Sequence, residues 1–385
     1  MNWVVLTAAV PAVLISWLVG LILRRLAPRW GLVDRPGPRK VHKQSVPFGG
    51  GIAIWAGVVV PLALGNLLLW RWSTLHRESP SGSLDMSALG AWGEPLAAFV
   101  EPHLPGLVQQ SADLWFLLMA GTVLMFLGLV DDVRKLDWRF RLAIELIVAG
   151  AVVYGRGWAL TLFIDWPLVT NVLSVLWIVW LVNSFNMLDN MDGLSGGVAA
   201  IAAAMLALVL LRVSEASSQQ PQLFVAGFLF VLVGALVGFL LHNWPPARLF
   251  MGDAGAYFIG FCVAVMTILA TFSGNGLPRH AILAPLCVLA VPFYDTLSVI
   301  CIRLKAGRSV FEGDTNHLSH RLVALGLTKT GAVLTIYLLT AACGLGALLL
   351  DQVNLGGAVT IVLMIGCLLA VIAILEMAAR RKMRQ

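Results

Sequence analysis

The chain has 385 residues, of which 59% are apolar and only 12% charged, with a mean hydropathy of +0.88. A water-soluble domain carries about 25% charge, so this composition excludes a soluble enzyme, a disordered chain and a disulfide scaffold, and points to a polytopic membrane protein. The net charge of +6 belongs to loop asymmetry rather than to nucleic-acid binding.

A bilayer-spanning helix needs about 20 apolar residues. Eleven stretches are predicted to span, in chain order 3–23, 50–70, 114–130, 142–156, 168–185, 193–213, 222–242, 255–273, 281–302, 329–350 and 357–377. The fourth is short. The first has no Lys or Arg before it and is followed by Arg24 and Arg25, the reverse of a secretory signal peptide. It reads as a retained span with its N-terminus outside. Alternate segments then hold 21 of the Lys and Arg residues, counting Lys329 with its loop, and the opposite segments hold 5. The positive-inside rule therefore places the first set, and the C-terminus, in the cytoplasm. The expected fold is an all-α polytopic bundle of about eleven transmembrane helices, one membrane-embedded domain over 1–385. It has a long extracytoplasmic loop at 71–113 and a cytoplasmic loop at 303–328.

The five cysteines lie in or beside apolar runs and read as small packing residues. No internal repeat is visible, which disfavours the transporter folds built from inverted repeats.

Polar residues gather in five cytoplasmic segments, as if one site were assembled on one face of the bundle. The first runs from Asp34 through Lys40 and His42 to the glycines 49–51. It is either a basic stretch attracted to anionic lipid or a phosphate-binding pair, Lys40 and His42. The second ends an apolar run with Asp131 and Asp132. Acids at a helix C-terminus oppose the macrodipole, so a cation or a metal-bearing phosphate is expected to compensate them. In the third, Asn183, Asn186, Asp189 and Asp192 recur every three residues. An N-cap role explains Asp192 alone, so a functional stripe is the fuller reading. The fourth, Asn243 to Gly255, carries Asp253, which suits either an N-cap or a hard cation. The fifth holds His317, His320 and Arg321 on one helical face. Zinc lacks further ligands there, and two imidazoles with a guanidinium suit a phosphate better. Asp295, within the ninth span, is an intramembrane acid that either works or pairs with a base.

Together these motifs, RKxHxxxxPxxGG, GLxDD, NxFNxxDxxDGL, PPARxFMGDAG and HLxHR, resemble those of the polyprenyl-phosphate N-acetylhexosamine-1-phosphate transferases, in order and over almost the whole chain. Two positions depart from the family pattern: Ser319 stands where a histidine is usual, and Asn190 where a glycine is usual.

The resemblance implies an inner-membrane, multi-pass enzyme that moves a sugar-1-phosphate from a UDP-N-acetylhexosamine to undecaprenyl phosphate and releases UMP. The His-x-x-His-Arg motif favours the N-acetylglucosamine branch, which starts lipopolysaccharide O-antigens and related cell-envelope glycans. The peptidoglycan branch, which uses UDP-N-acetylmuramoyl-pentapeptide, is the alternative. A transporter is a second alternative, but it would hold its acids near the bilayer midplane. By the resemblance, Asn186 and Asp253 hold Mg²⁺, or Mn²⁺ in its place. Asp131 or Asp132 acts on the lipid phosphate. Lys40, His42, Asn183, Asp189, Asp192, His317, His320 and Arg321 bind the donor. The oligomeric state, a dimer included, is left open.

Overall fold

The computed structural model describes residues 8–34, 45–78, 104–160, 164, 166–217, 222–270, 278–310 and 314–382. They form an almost wholly helical bundle. In lipid, only structures that satisfy their own backbone hydrogen bonds can span, and helices do so within one segment. The long helices are α1 (Ala9–Leu26), α2 (Gly50–Glu78), α4 (Ser111–Arg134), α6 (Pro167–Leu188), α7 (Leu194–Ser217), α8 (Leu223–Asn243), α9 (Gly252–Leu269), α13 (Lys329–Ala347) and α14 (Leu355–Lys382). The shorter ones are α3 (Leu104–Gln109), α5 (Trp138–Gly150), α10 (Ala284–Val288), α11 (Ala290–Lys305) and α12 (Leu318–Ala324). Local signals set several ends. Pro167 opens α6 at its first turn, the Thr328 side chain accepts from Gly331 N–H at the start of α13, and Asp137 accepts from Arg139 N–H at the start of α5.

Nine helices among the described residues are long and apolar enough to cross a bilayer. The expected span 281–302 is a broken one: Arg279–Val288 and Ala290–Lys305 meet at 64°, which makes ten spans if the pair crosses as one. The expected span 142–156 is not among these nine: helix α5 has 13 residues and runs on without a break into one wide turn, Ala151–Gly155. Helix α5 also carries Arg141 and Glu145. Of the expected long loop, residues 71–78 extend α2, while 79–103 lie outside the described residues.

Helix α9 is the centre of the bundle. Every residue from Ala254 to Ile268 is buried, and α9 packs against α4, α6 and α2. Its N-terminal end is where the polar segments meet. Two backbone strands of contact bring them there. Phe250 N–H donates to Pro47 C=O, and Gly50 and Gly51 N–H donate to Phe250 and Met251 C=O, each at 2.9 Å. The glycine run that opens α2 is thereby bonded to the loop that opens α9. A side chain at Gly128 on α4 would collide with the backbone of Asp253 and Ala254, so glycine there is what lets the end of α4 lie directly against the start of α9.

Candidate functional site

At this end of the bundle the acids of three segments converge. Asp131 and Asp132 finish α4, and each is compensated by the protein itself. Asp131 is 2% exposed. Its carboxylate accepts from Leu136 N–H at 2.7 Å, from Arg141 at 2.6 Å and from Tyr257 O–H at 3.3 Å. Asp132 is only partly buried. It accepts from Asp253 N–H at 3.0 Å and Ala254 N–H at 3.3 Å, so it caps the N-terminus of α9 from a different helix. The compensation expected from a cation is thus supplied in part by Arg141 and by the positive end of α9.

Asp253 lies in the first turn of α9, beyond its N-cap Met251. It is not the cap. Its Oδ1 accepts from Asn186 Nδ2 at 2.6 Å, joining the end of α6 to the start of α9. The three-residue repeat of the third segment resolves into a fan, because each step of three turns the side chain by about 60° around a helix. Asn183 donates to Glu145 on α5 at 2.5 Å and Asn186 to Asp253. Asp189 faces the N–H of Gly252, and Asp192 accepts from Ala247 N–H at 3.0 Å. Helix α6 ends at Leu188, so the last two acids sit in the turn that follows. Gly193, in left-handed backbone at φ 77°, closes that turn, its N–H donating to Asn243 Oδ1 at 2.8 Å. Burial, together with the neighbouring charges of Asp253, Asp132 and Asp192, pushes the Asp189 carboxyl up to about 8.

The fifth segment reaches the same loop. Ser319, 1% exposed, donates from Oγ to Asn190 Oδ1. The two positions that depart from the family pattern are therefore bonded to each other, and they pin the first turn of α12 to the Asp189–Asp192 turn. His317 precedes α12, and its Nδ1 meets Asp295 Oδ2 at 2.9 Å. Asp295, the intramembrane acid of the ninth expected span, thus has a partner. Arg321 lies on the same side but is not an open clamp. It is buried, donates to Ser298 Oγ at 2.8 Å and Asn316 C=O at 2.5 Å, and pairs with Glu376 of α14 at 2.9 Å. Burial and the adjacent His317 hold His320 below the usual histidine range. Below α12, Arg303 grips Asp314 through Nε at 3.1 Å and Nη2 at 3.2 Å. Burial opposes ionisation of Asp314, but these bonds and those from Asn316 hold its carboxyl at about 2.

Lys40 and His42 lie outside the described residues. Among the described residues, no three His, Cys, Asp or Glu side chains form a metal-binding set. The donor chemistry nonetheless fits a hard cation: one carboxylate, Asp253, and one amide, Asn186, at an acid-rich bundle end. That is a short oxygen set of the kind Mg²⁺ completes with water and phosphate oxygens. Three residues escaped the sequence reading: Arg141, Glu145 and Tyr257. Arg141 and Glu145 lie one helical turn apart on α5, Glu145 within the expected span 142–156 and Arg141 just before it, and an ionisable residue inside a span is itself a functional signal. Tyr257 carried no signal of its own.

The fold and site define a polytopic membrane protein whose polar machinery sits at one end of its helices rather than along a central pathway. The glycosyl transferase family 4 model matches residues 114–271. The decaprenyl-phosphate N-acetylglucosaminephosphotransferase of Mycobacterium tuberculosis is 30% identical over 361 residues, covering 87% of this chain and 80% of that one. A probable undecaprenyl-phosphate N-acetylglucosaminyl 1-phosphate transferase of Bacillus subtilis is 26% identical over 358 residues, covering 91% and 86%. The undecaprenyl-phosphate alpha-N-acetylglucosaminyl 1-phosphate transferase of Yersinia pestis is 26% identical over 328 residues, covering 83% and 77%. The chain belongs to glycosyl transferase family 4, among its polyprenyl-phosphate N-acetylhexosamine-1-phosphate transferases.

Proposed function

We propose that the chain transfers N-acetylglucosamine-1-phosphate from UDP-N-acetylglucosamine to undecaprenyl phosphate, releases UMP, and so begins a lipid-linked cell-envelope glycan at the cytoplasmic face of the inner membrane. The observation that carries this reading is the meeting of Asp131, Asp132, Asp253, Asn186 and Asp189 at one bundle end, on elements drawn from three distant segments. The 21:5 asymmetry of basic residues supports a cytoplasmic position for that end.

Phosphoryl transfer asks the protein mainly for positioning and charge control. Asp253 and Asn186 would hold the Mg²⁺ ion. Bound there, the ion supplies neutralising charge for the donor pyrophosphate. Asp131 is fully engaged by Arg141, Leu136 and Tyr257, which suits an anchor. Asp132 is less buried and suits the group that meets the lipid phosphate. It takes the phosphate proton, and the freed oxygen attacks the β-phosphorus of the UDP-sugar. The bond from that phosphorus to the bridging oxygen breaks, and UMP carries the oxygen away. Asp189 and the α12 segment line the approach of the donor. The polyprenyl tail stays in lipid between helices, which accounts for an active site embedded at a membrane boundary.

The test is a purified, reconstituted protein given UDP-N-acetylglucosamine, undecaprenyl phosphate and Mg²⁺. Labelled lipid product and an equal amount of UMP are expected. Turnover only with UDP-N-acetylmuramoyl-pentapeptide would keep the family and reject the branch.

A further inference from the structure

We propose that Asp295 is a positioning residue that fixes the His317 imidazole with its proton on Nδ1, leaving the Nε2 lone pair as the hydrogen-bond acceptor offered to the nucleotide-sugar. The inference rests on the donor-binding role given to the α12 segment under the proposed function. Its geometry stands apart from that role.

Asp295 is 1% exposed and His317 5%. The two carboxylate oxygens have separate duties: Oδ2 lies 2.9 Å from His317 Nδ1, and Oδ1 accepts from Leu318 N–H at 2.6 Å. An ionised carboxylate only accepts, so the nitrogen facing it must carry the proton. In the neutral ring the other nitrogen is then a lone pair. His317 sits in extended backbone just before α12, at φ −65° and ψ 153°. The ring is therefore held by two anchors, the side-chain bond to Asp295 and the backbone of a helix whose first N–H the same residue caps. Among the described residues, nothing bonds Nε2.

A capping role alone does not explain the residue. Only one acceptor oxygen is needed at Leu318, and an Asn would supply it without burying an ionisable group. The second oxygen is spent on the histidine. Two residues further on, the Ser319–Asn190 bond holds this turn against the loop that carries Asp189 and Asp192. The oriented ring is thus built into the element that borders the aspartate loop. An Nε2 lone pair there accepts from a hydroxyl or imide N–H of the donor, groups that a UDP-sugar presents and a lipid phosphate tail does not.

Asp295→Asn separates the two roles. Its carbonyl oxygen still caps Leu318, but its amide donates to Nδ1 and reverses the tautomer. The experiment uses full-length protein labelled with ¹⁵N-histidine in nanodiscs, with the His317 signals identified by their loss in His317→Gln. Wild type is expected to show a protonated Nδ1 and an unprotonated Nε2. Asp295→Asn is expected to show the opposite, with an unchanged melting temperature and a UDP-sugar KM raised roughly 2- to 12-fold, the range of one neutral hydrogen bond. Asp295→Glu, which keeps the carboxylate, should return the wild-type tautomer. A wild-type ring protonated on Nε2, or an Asp295→Asn protein with wild-type tautomer and wild-type KM, overturns the proposal. If wild type shows the expected tautomer yet consumes no UDP-sugar, the proposed function fails and the assignment of Nε2 to that donor fails with it, while the Asp295–His317 geometry stands.

Discussion

Replacing Arg141 with Met removes the cation 2.6 Å from Asp131 and the donor 3.1 Å from the Tyr257 hydroxyl, while keeping an unbranched apolar stem. The Asp131 side chain is 2% exposed and that of Arg141 26%. Breaking a fully buried pair from one side costs about 3–5 kcal/mol, whereas an exposed pair is worth about 0–1 kcal/mol. The quarter exposure of Arg141, and the Leu136 N–H and Tyr257 O–H that stay with Asp131, set the expectation near the middle, at about 2 kcal/mol. Asp131→Asn removes the charge that needs the partner. The double variant Arg141→Met with Asp131→Asn should therefore be more stable than the two single losses added together, by about 1 kcal/mol or more. The assay is reversible unfolding in mixed micelles for all four proteins of the cycle, with turnover measured per folded molecule. Arg141→Met should also lose turnover, because an Asp131 without its guanidinium partner loosens the end of α4 that carries Asp132. Additive losses, or an Arg141→Met protein with wild-type stability and turnover, would refute the reading of Arg141 as the anchor of Asp131.

Asp189→Asn should stabilise the substrate-free protein at pH 8 and abolish turnover. The carboxyl is raised from an ordinary value near 3.8 to about 8, so the folded state resists its ionisation. Stability is thus fullest below about pH 4 and declines as pH rises through 8, and the melting-temperature gain of the variant should shrink as pH is lowered. Arg321→Ala should lower the melting temperature as well as activity, since it takes the cation from the buried Glu376, whose Oε2 also accepts from Tyr294 O–H at 3.3 Å. The cost for a buried pair broken from one side is about 3 kcal/mol. Glu376→Gln should show a smaller loss of the same kind, and a purely kinetic Arg321→Ala phenotype would contradict the pairing.

The spans were legible in the sequence because lipid demands long apolar runs, but the order of burial was not. The stretch Leu355–Met377 has a mean hydropathy of 3.0 and only 17% of its most apolar window is buried, whereas Gly252–Leu269 has 1.7 and 83%. In lipid the most apolar helix gains nothing by hiding, and the close-packed centre goes to the helix with small residues and polar ends. The stretch 142–156 reads as a span from its apolar residues, and nothing in that pattern announces that Arg141 and Glu145 of α5 bond to Asp131 and Asn183. Within the site, residue types were legible and their partners were not. Asp132 caps a helix that begins 120 residues later, and nothing in a local pattern announces such a bond. Asp295 and His317 were both visible singly, but only the packing of α11 against the α12 turn joins them. The spacing of His317 and Arg321 suggests one helical face, but His317 precedes α12 in extended backbone and bonds Asp295 of α11, while Arg321 bonds Ser298 of α11 and Glu376 of α14.

The central claim is that the aspartates gathered at the start of α9 perform sugar-phosphate transfer, with Asp253 holding the metal. It is tested most directly by UMP release from UDP-N-acetylglucosamine in nanodiscs containing undecaprenyl phosphate, comparing wild type with Asp253→Asn across a Mg²⁺ titration. Asp253→Asn keeps the size of the side chain and its place in the first turn of α9, so folding should be preserved. Wild type should release one UMP for each labelled lipid formed and depend on Mg²⁺, and the variant should release none at any Mg²⁺ concentration that saturates wild type. A folded Asp253→Asn protein that turns over at the wild-type rate, or a wild type equally active after exhaustive chelation, would contradict the account.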